Sequence, residues 1–441
     1  MDTTIKYHEM TELQKLAIAK YEKGENIFLT GPGGCGKSAI IKYIIKDAEN
    51  KNIELQVCAL TGCATVLLGN KSRTIHSWSG IGVDNRSIEE VSEKIATSAP
   101  KRKNWCRTSV LIVDEISMMS KKMIELLDLT GKKCRKRCLP FGGIQVIFSG
   151  DFFQLPPVGS VDRETEMFCF ESPVFKKLFP KQNIIIFEKI FRQKDPLYSK
   201  ILNQIRKGMI SNNSIKVLTG CIKKEVNEEE IIKPTIIKPL KQDVDIINET
   251  SLKKIKGDTH VFKMEYVSPK NNKATKEAIM YEFKQIESKI YVEKELVLKV
   301  GAQVMCVVNM MDAEGKLLLC NGSQGVVIGF DVLLGYPIVQ YRNGIKMTMS
   351  PHNWTSENII DLQVKQVPLI LSWAITIHKS QGASIEMAEI DAGSSIFAAG
   401  QTYVALSRVT SLEGLYLTNF DHNKIFVNQK VKEFYETLNK K

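Results

Sequence analysis

The feature that most limits what this 441-residue chain can become is GPGGCGKS at Gly31–Ser38. It follows an apolar run, residues 26–30, and opens a stretch with helical spacing. A glycine loop between a strand and a helix turns backbone N–H groups and a helix N-terminus toward one point, an arrangement that cradles phosphates. The surrounding sequence suits such a loop. Short β-branched runs at 26–30, 54–60, 110–113, 144–149 and 183–187 alternate with helical stretches, which predicts a parallel sheet flanked by helices. A second set at 234–237, 368–373, 387–391 and 415–418 predicts a second α/β lobe, with no sequence repeat linking the two. Residues 255–365 break the rhythm with short strands and turn signals at Asn321-Gly322 and Asn343-Gly344, the pattern of a small β-barrel or meander. Residues 66–105 form a polar excursion longer than a typical connection.

The loop assigns roles by position. Gly31, Gly33, Gly34 and Gly36, with Ala39 in the first helical turn, line the phosphates. Lys37 reaches the outer phosphates, and the Ser38 hydroxyl binds Mg²⁺. LIVDEISMM at Leu111–Met119 supplies a partner strand: Asp114 holds Mg²⁺ through its water shell, and Glu115 orients and deprotonates an attacking water. A kinase does not need that acidic pair to activate water, so ATP hydrolysis is the expected chemistry. Gln14, on an amphipathic helix before the first strand, carries a carboxamide able to read both N6 and N7 of adenine. Taken alone, a helical glutamine is more often just exposed.

Composition narrows the partners. A net charge of +12, with basic clusters at 101–103 and 132–137, favours a polyanion, although a lysine-rich solvated surface gives the same total. No apolar run approaches the ~20 residues of a membrane span, and MDTTIKYHEM carries no signal or transit pattern. The ten cysteines include no CxxC pair, and Cys134 and Cys138 lack a second ligand pair, so free thiols in a reducing, intracellular compartment are expected.

GGIQVIFSGDFFQLPPV at 142–158 poses a question, because a core strand ends on Asp151, then Gln154, then a Pro-Pro step that forbids further pairing. The longer run from 116 to 158, with PFGGIQ and GDFFQLPPV, resembles the signature region of the Pif-type (petite integration frequency) DNA helicases of superfamily 1B. TGCATVLLG, TIHSW, IFRQ, AITIHKSQGASIE and GQTYVALSRVTSLEGL agree in the family's order, over about residues 10–420. RecD-type helicases share the glycine loop and the QLP step but not PFGGIQ. Departures are Leu60, where the family usually has proline, with Cys63 and Thr65 in the same motif.

The resemblance implies two RecA-like parallel-sheet lobes with a small wedge insertion in the first and an SH3-like β-barrel insertion in the second. The expected boundaries are 1–185 for the first lobe (wedge about 66–105), 186–254 and 366–441 for the second, and 255–365 for the inserted domain. It also implies a near-minimal motor, monomeric, acting on single-stranded DNA and on forked or tailed duplexes. Asp151 and Gln154 are then nucleotide sensors, Arg192 and Arg408 are arginine fingers from the second lobe, and Gly382 allows close backbone approach near the phosphates. Contacts to DNA fall on Thr61, Gly62, His76, Trp78, Pro156, Pro157, His378, Lys379 and Ser380, with His76 and Trp78 stacking on bases. For that pair, packing within the lobe is the competing reading. The implied function is a 5′-to-3′ ATP-dependent DNA helicase. An RNA helicase of the same superfamily and an ATP-gated single-strand clamp are the alternatives.

Overall fold

The computed structural model describes residues 7–60, 72–81, 86–157, 165–193, 195–222, 224–225, 230–268, 274–290, 292–312, 317–356, 359, 361–380, 383–393 and 396–439. The chain divides into two compact units. The first comprises Asp2–Arg192, Arg206–Gly208 and Phe426–Lys441; the second comprises Gln193–Ile205 and Met209–Ile425.

In the first unit six strands form one parallel sheet: β1 (Ile27–Thr30), β2 (Leu55–Ala59), β3 (Arg73–Thr74), β4 (Val110–Asp114), β5 (Gln145–Gly150) and β6 (Ile184–Ile186), in the order β3-β2-β4-β5-β1-β6. Both faces are covered, so the central strands read as continuous apolar runs rather than alternating ones. Ile27 and Leu29 enter one core with Ile18, Ile40 and Ile44. Phe28, between them, enters the other with Phe148, Phe175 and Phe179.

PFGGIQ has a structural explanation. Phe141, Gly142 and Gly143 all adopt positive φ, and a Cβ on Gly142 would lie 2.3 Å from the Gly131 carbonyl oxygen. The turn is thereby pressed onto the helix Lys121–Arg135, where Asp128 accepts from the Phe141 N–H at 2.8 Å and Arg135 donates to the Gly142 carbonyl. Gln145 then reaches across to the carbonyls of Tyr21 and Glu25. These contacts seat the turn on the helix and fix where β5 begins.

Two expected boundaries shift. The first lobe does not stop at 185: Phe187 N–H donates to Thr30 O, and Phe191 N–H donates to Gly34 O at 2.8 Å, so the chain hugs the glycine loop as far as Arg192. The C-terminal helix Gln429–Asn439, expected in the second lobe, buries Val431 and Tyr435 in the first unit's core. Within the polar excursion, the helices Ile88–Thr97 and Ala99–Arg107 contribute Val91, Ile95 and Trp105 to that same core.

The second unit holds a four-stranded parallel sheet, Ala374–Thr376, Thr235–Lys238, Ala388–Ala392 and Leu415–Phe420 in that order. The run 368–373 was expected to be one of these strands. Instead Leu369–Leu371 pairs antiparallel with Gln303–Cys306, in a five-stranded sheet with Gln324–Phe330, Pro337–Tyr341 and Lys346–Thr348. The insertion is not all β, since it contains the helix Lys276–Lys289. Asn343-Gly344 forms the expected hairpin turn, with Gly344 at φ +86°. Two buried glutamines join the sheets: Gln303 donates to the Lys233 and Ser372 carbonyls, and Gln324 donates to Thr235 and Met387 while accepting from Met387 N–H. No helix among the described residues is long and apolar enough to cross a membrane.

Candidate active site

The loops that follow β1, β4 and β5 leave the sheet at its C-terminal edge, the usual place for ligands in open α/β sheets. After β1, Gly31, Gly34 and Gly36 all have positive φ, and each is crowded. A Cβ would fall 2.3 Å from Phe187 O at Gly31, 2.4 Å from Arg192 Cβ at Gly34, and 2.8 Å from Gln14 Nε2 at Gly36. Only glycine fits, and the loop is a backbone-lined cradle. Gly36 begins the helix Lys37–Asn50 with no side-chain cap, which leaves the first helical N–H groups for an anion. Ser38 is exposed beside them, and Ala39 follows, half-buried. Lys37 is folded onto the loop, donating to the carbonyls of Gly31 at 2.8 Å and Pro32 at 3.0 Å. Gly33 belongs to the same turn.

After β4, Asp114 is buried and accepts from the Glu115 N–H at 2.9 Å. Burial pushes its carboxyl up to about 6. The Glu115 charge adds to the rise, and Lys37 works against it. Glu115 itself sits at φ +54°, a conformation unusual for a residue with a side chain and one that clusters at functional sites. A buried acid that ionises reluctantly beside a second acid is a donor set that fits a divalent cation.

After β5, Gln154 is 4 % exposed, and its Oε1 is buried with no hydrogen-bond partner among the described residues. An amide oxygen in that condition suits a group that accepts from a bound ligand or water. Gly150 passes so close to the Glu115 loop that a Cβ would meet Ile116 N at 2.9 Å, so the acidic pair and the β5 loop are held together.

Gln14 lies against the glycine loop at 1 % exposure, not on an exposed helical face. Its Oε1 also closes a capping box with Thr11, at 2.9 Å from the Thr11 N–H, which leaves Nε2 facing Gly36. Asp151 does not fit its expected place. Its carboxylate is 0 % exposed and gripped by Arg206 through two hydrogen bonds of 2.8 Å, so it is an internal ion-pair partner rather than a nucleotide contact. Arg206 and Tyr435, which surround it, carry no local motif and were missed from sequence. Arg192 was expected from the second lobe but belongs to the glycine loop's own unit, stacked against Gly34. Arg408 does lie in the second unit, 2 % exposed, with its guanidinium donating to Val404 O and Ser407 Oγ.

The chain is similar to known proteins along most of its length. The profile of the PIF1-like helicase family matches residues 9–216, and that of the 2B domain of DNA helicase Pif1 matches residues 282–330. The ATP-dependent DNA helicase RRM3 of Saccharomyces cerevisiae is 32% identical over 97% of this chain and 67% of its own length. The chain belongs to the PIF1-like helicase family. The crystal structure of Pif1 helicase from Candida albicans superposes with a TM-score of 0.76 at 32% identity, covering 97% of this chain and 99% of that one. A Bacteroides sp. Pif1 in complex with ADP-AlF4 superposes at 0.77 with 28% identity, covering 97% and 96%. The chain spans about two thirds of the length of the curated relatives; for mouse PIF1, at 33% identity, it covers 63%.

Within this PIF1-like fold the expected DNA contacts fare unevenly. Thr61, Gly62 and Gly382 lie outside the described residues, as does the side chain of His378. His76 is exposed. Trp78 is not a stacking platform: it is 1 % exposed, 4.5 Å from the Trp105 ring, and its indole N–H points at Thr108 Oγ1. Pro156 is half-buried, while Leu155 and Pro157 are buried, so the Pro-Pro step presents one open ring rather than a broad surface. Ser380 is also corrected, since its buried hydroxyl is spent on the Ile377 carbonyl at 2.8 Å. Lys379, half-buried, lines a cavity of about 280 Å³ with Lys241, Asn248 and Ile375.

Proposed function

We propose that this chain is a motor that hydrolyses Mg-ATP to move 5′-to-3′ along single-stranded DNA and to part forked or tailed duplexes. The observation that carries the reading is the convergence, at one sheet edge, of the glycine cradle, the Asp114-Glu115 pair and the buried amide oxygen of Gln154, which has no partner among the described residues. Gly31, Gly33, Gly34 and Gly36 with the first turn of the following helix hold the phosphates. Lys37 exchanges its two loop carbonyls for phosphate oxygens, and Gln14 meets the base. Ser38 and Asp114 would hold Mg²⁺, which supplies charge neutralisation across the phosphates. Glu115 takes the proton of the attacking water, and Gln154 accepts a hydrogen bond at the same place. Arg192 stabilises charge from beside Gly34, and Arg408 enters through its motif alone.

DNA as the track rests on the relatives: one solved Bacteroides Pif1 is bound to ssDNA, and a further structure treats unwinding at forked dsDNA by two coordinating Pif1 helicases. We assign a monomeric motor, with residues 66–105 as the wedge and the antiparallel sheets of 255–365 as an SH3-like domain. The test is strand separation on matched 5′-tailed and 3′-tailed DNA duplexes with ATP and Mg²⁺. Unwinding from the 5′ tail alone is expected. DNA-stimulated hydrolysis with no unwinding from either tail would replace the helicase with a translocase or clamp, and stimulation by RNA alone would replace DNA as the track.

A further inference from the structure

The end of β5 is held by residues far away in sequence. Asp151 accepts from Arg206 Nε and Nη2, and its side chain also accepts from the Phe153 N–H at 3.2 Å. The Arg206 guanidinium lies 4.6 Å over the Phe153 ring, which stacks on Tyr435 with centroids 4.6 Å apart and planes 12° from parallel. The Tyr435 hydroxyl accepts from the Phe152 N–H at 3.3 Å and lies 2.6 Å from the hydroxyl of Thr30, the residue before the glycine loop. Gln154 N–H donates to the Asp151 carbonyl at 2.9 Å. Three successive amides, 152, 153 and 154, are therefore each pinned. Among the described residues of this loop, Gln154 Oε1 is a buried side-chain oxygen with no hydrogen-bond partner.

We propose that Arg206 and Tyr435 are positioning residues for ATP hydrolysis: a clamp that ties the end of β1 to the β5 loop and sets where the Gln154 amide points. Neither residue touches nucleotide. A buried ion pair is poor value as stability alone, since well-packed apolar side chains do as well or better, but it fixes geometry. Here a bidentate pair fixes the carboxylate that organises the loop, and a phenol hydroxyl links it to the strand that carries the cradle. Catalytic amides lose effect when displaced by fractions of an ångström, so loosening the clamp lowers turnover before it lowers binding.

The inference rests on the ATPase reading, and the experiment separates the two. Arg206→Lys keeps the charge but loses the fork, and Tyr435→Phe keeps the stacking but loses the hydroxyl. Each is compared with Gln154→Ala and with the double variant Tyr435→Phe/Gln154→Ala, in the full chain. The readouts are kcat and KM for ATP with and without single-stranded DNA, affinity for a fluorescent ADP analogue, and Tm. The expected result is kcat reduced about 10- to 100-fold, with nucleotide affinity within about twofold of the parent and little change in Tm. In the double variant the tyrosine change should add nothing to the loss from Gln154→Ala, since the clamp acts through that amide. Independent, multiplying losses would overturn the clamp, as would wild-type turnover in both single variants or a joint fall of Tm and nucleotide affinity. No hydrolysis by the unaltered chain, with or without DNA, would overturn the ATPase reading and the clamp together.

Discussion

The backbone N–H of Glu115 donates to the carboxylate of Asp114 at 2.9 Å, which places two acids side by side at the end of a buried strand. The cost of that placement appears as a pH dependence. The folded Asp114 carboxyl titrates near 6 against an ordinary value of 3.8, mainly because it is buried and secondly because Glu115 faces it. Between those values the folded chain binds a proton that the unfolded chain does not, so stability falls as pH rises from about 4 to about 6 and is level above. The loss is on the order of 2–3 kcal/mol. Asp114→Asn should abolish ATP hydrolysis, yet raise Tm at pH 7.5 in the absence of divalent cations and leave it unchanged near pH 4. Thermal melts of both proteins at the two pH values check this, and a variant less stable at both would refute the strain.

Glu115 contributes differently, as the base rather than the cation's neighbour. Glu115→Gln keeps the volume and the strained backbone but cannot take a proton. Turnover should fall by about 10²- to 10⁴-fold, while ADP-analogue binding and the Mg²⁺ dependence of that binding stay near those of the parent. Parallel loss of binding and turnover would move Glu115 from base to ligand.

What the sequence showed of this site was whatever lies within one loop. The glycine cradle, Asp114-Glu115 and Gln154 each sit at a strand end marked by local residues. Arg206 is invisible on the same terms, because its partner Asp151 is 55 residues earlier and Tyr435 is 284 residues beyond that aspartate. Nothing in the local sequence says which arginine a buried acid will find. The same reasoning explains Trp78, whose neighbour Trp105 arrives from another helix, and 368–373, an apolar run equally suited to either of two sheets.

Gly142 tests whether PFGGIQ is packing rather than chemistry. Alanine there meets φ +63° and the backbone carbonyl of Gly131 at 2.3 Å, with the Arg135 side chain at 2.9 Å. Gly142→Ala should destabilise the first unit by about 2 kcal/mol or more, which lowers Tm by about 4 °C or more. Below that melt, KM for ATP and single-strand affinity should be unchanged. A stable variant with weakened nucleotide or DNA binding would give the motif a direct contact.

Trp78 decides between two roles that sequence leaves open. A base-stacking tryptophan needs a free ring face, and this one is enclosed by Trp105 with its N–H directed at Thr108. Trp78→Phe removes that hydrogen bond and part of a buried ring, which should cost about 1–3 kcal/mol. Single-stranded DNA affinity, read by fluorescence anisotropy at fixed salt, should remain within about twofold, because stacking of a base on the ring is worth about 1–3 kcal/mol only where the ring is accessible. The two measurements move in opposite ways under the rival roles. A lower Tm with unchanged affinity places the indole in the core, whereas tenfold weaker DNA binding at an unchanged Tm would mean that the ring swings out to meet the strand.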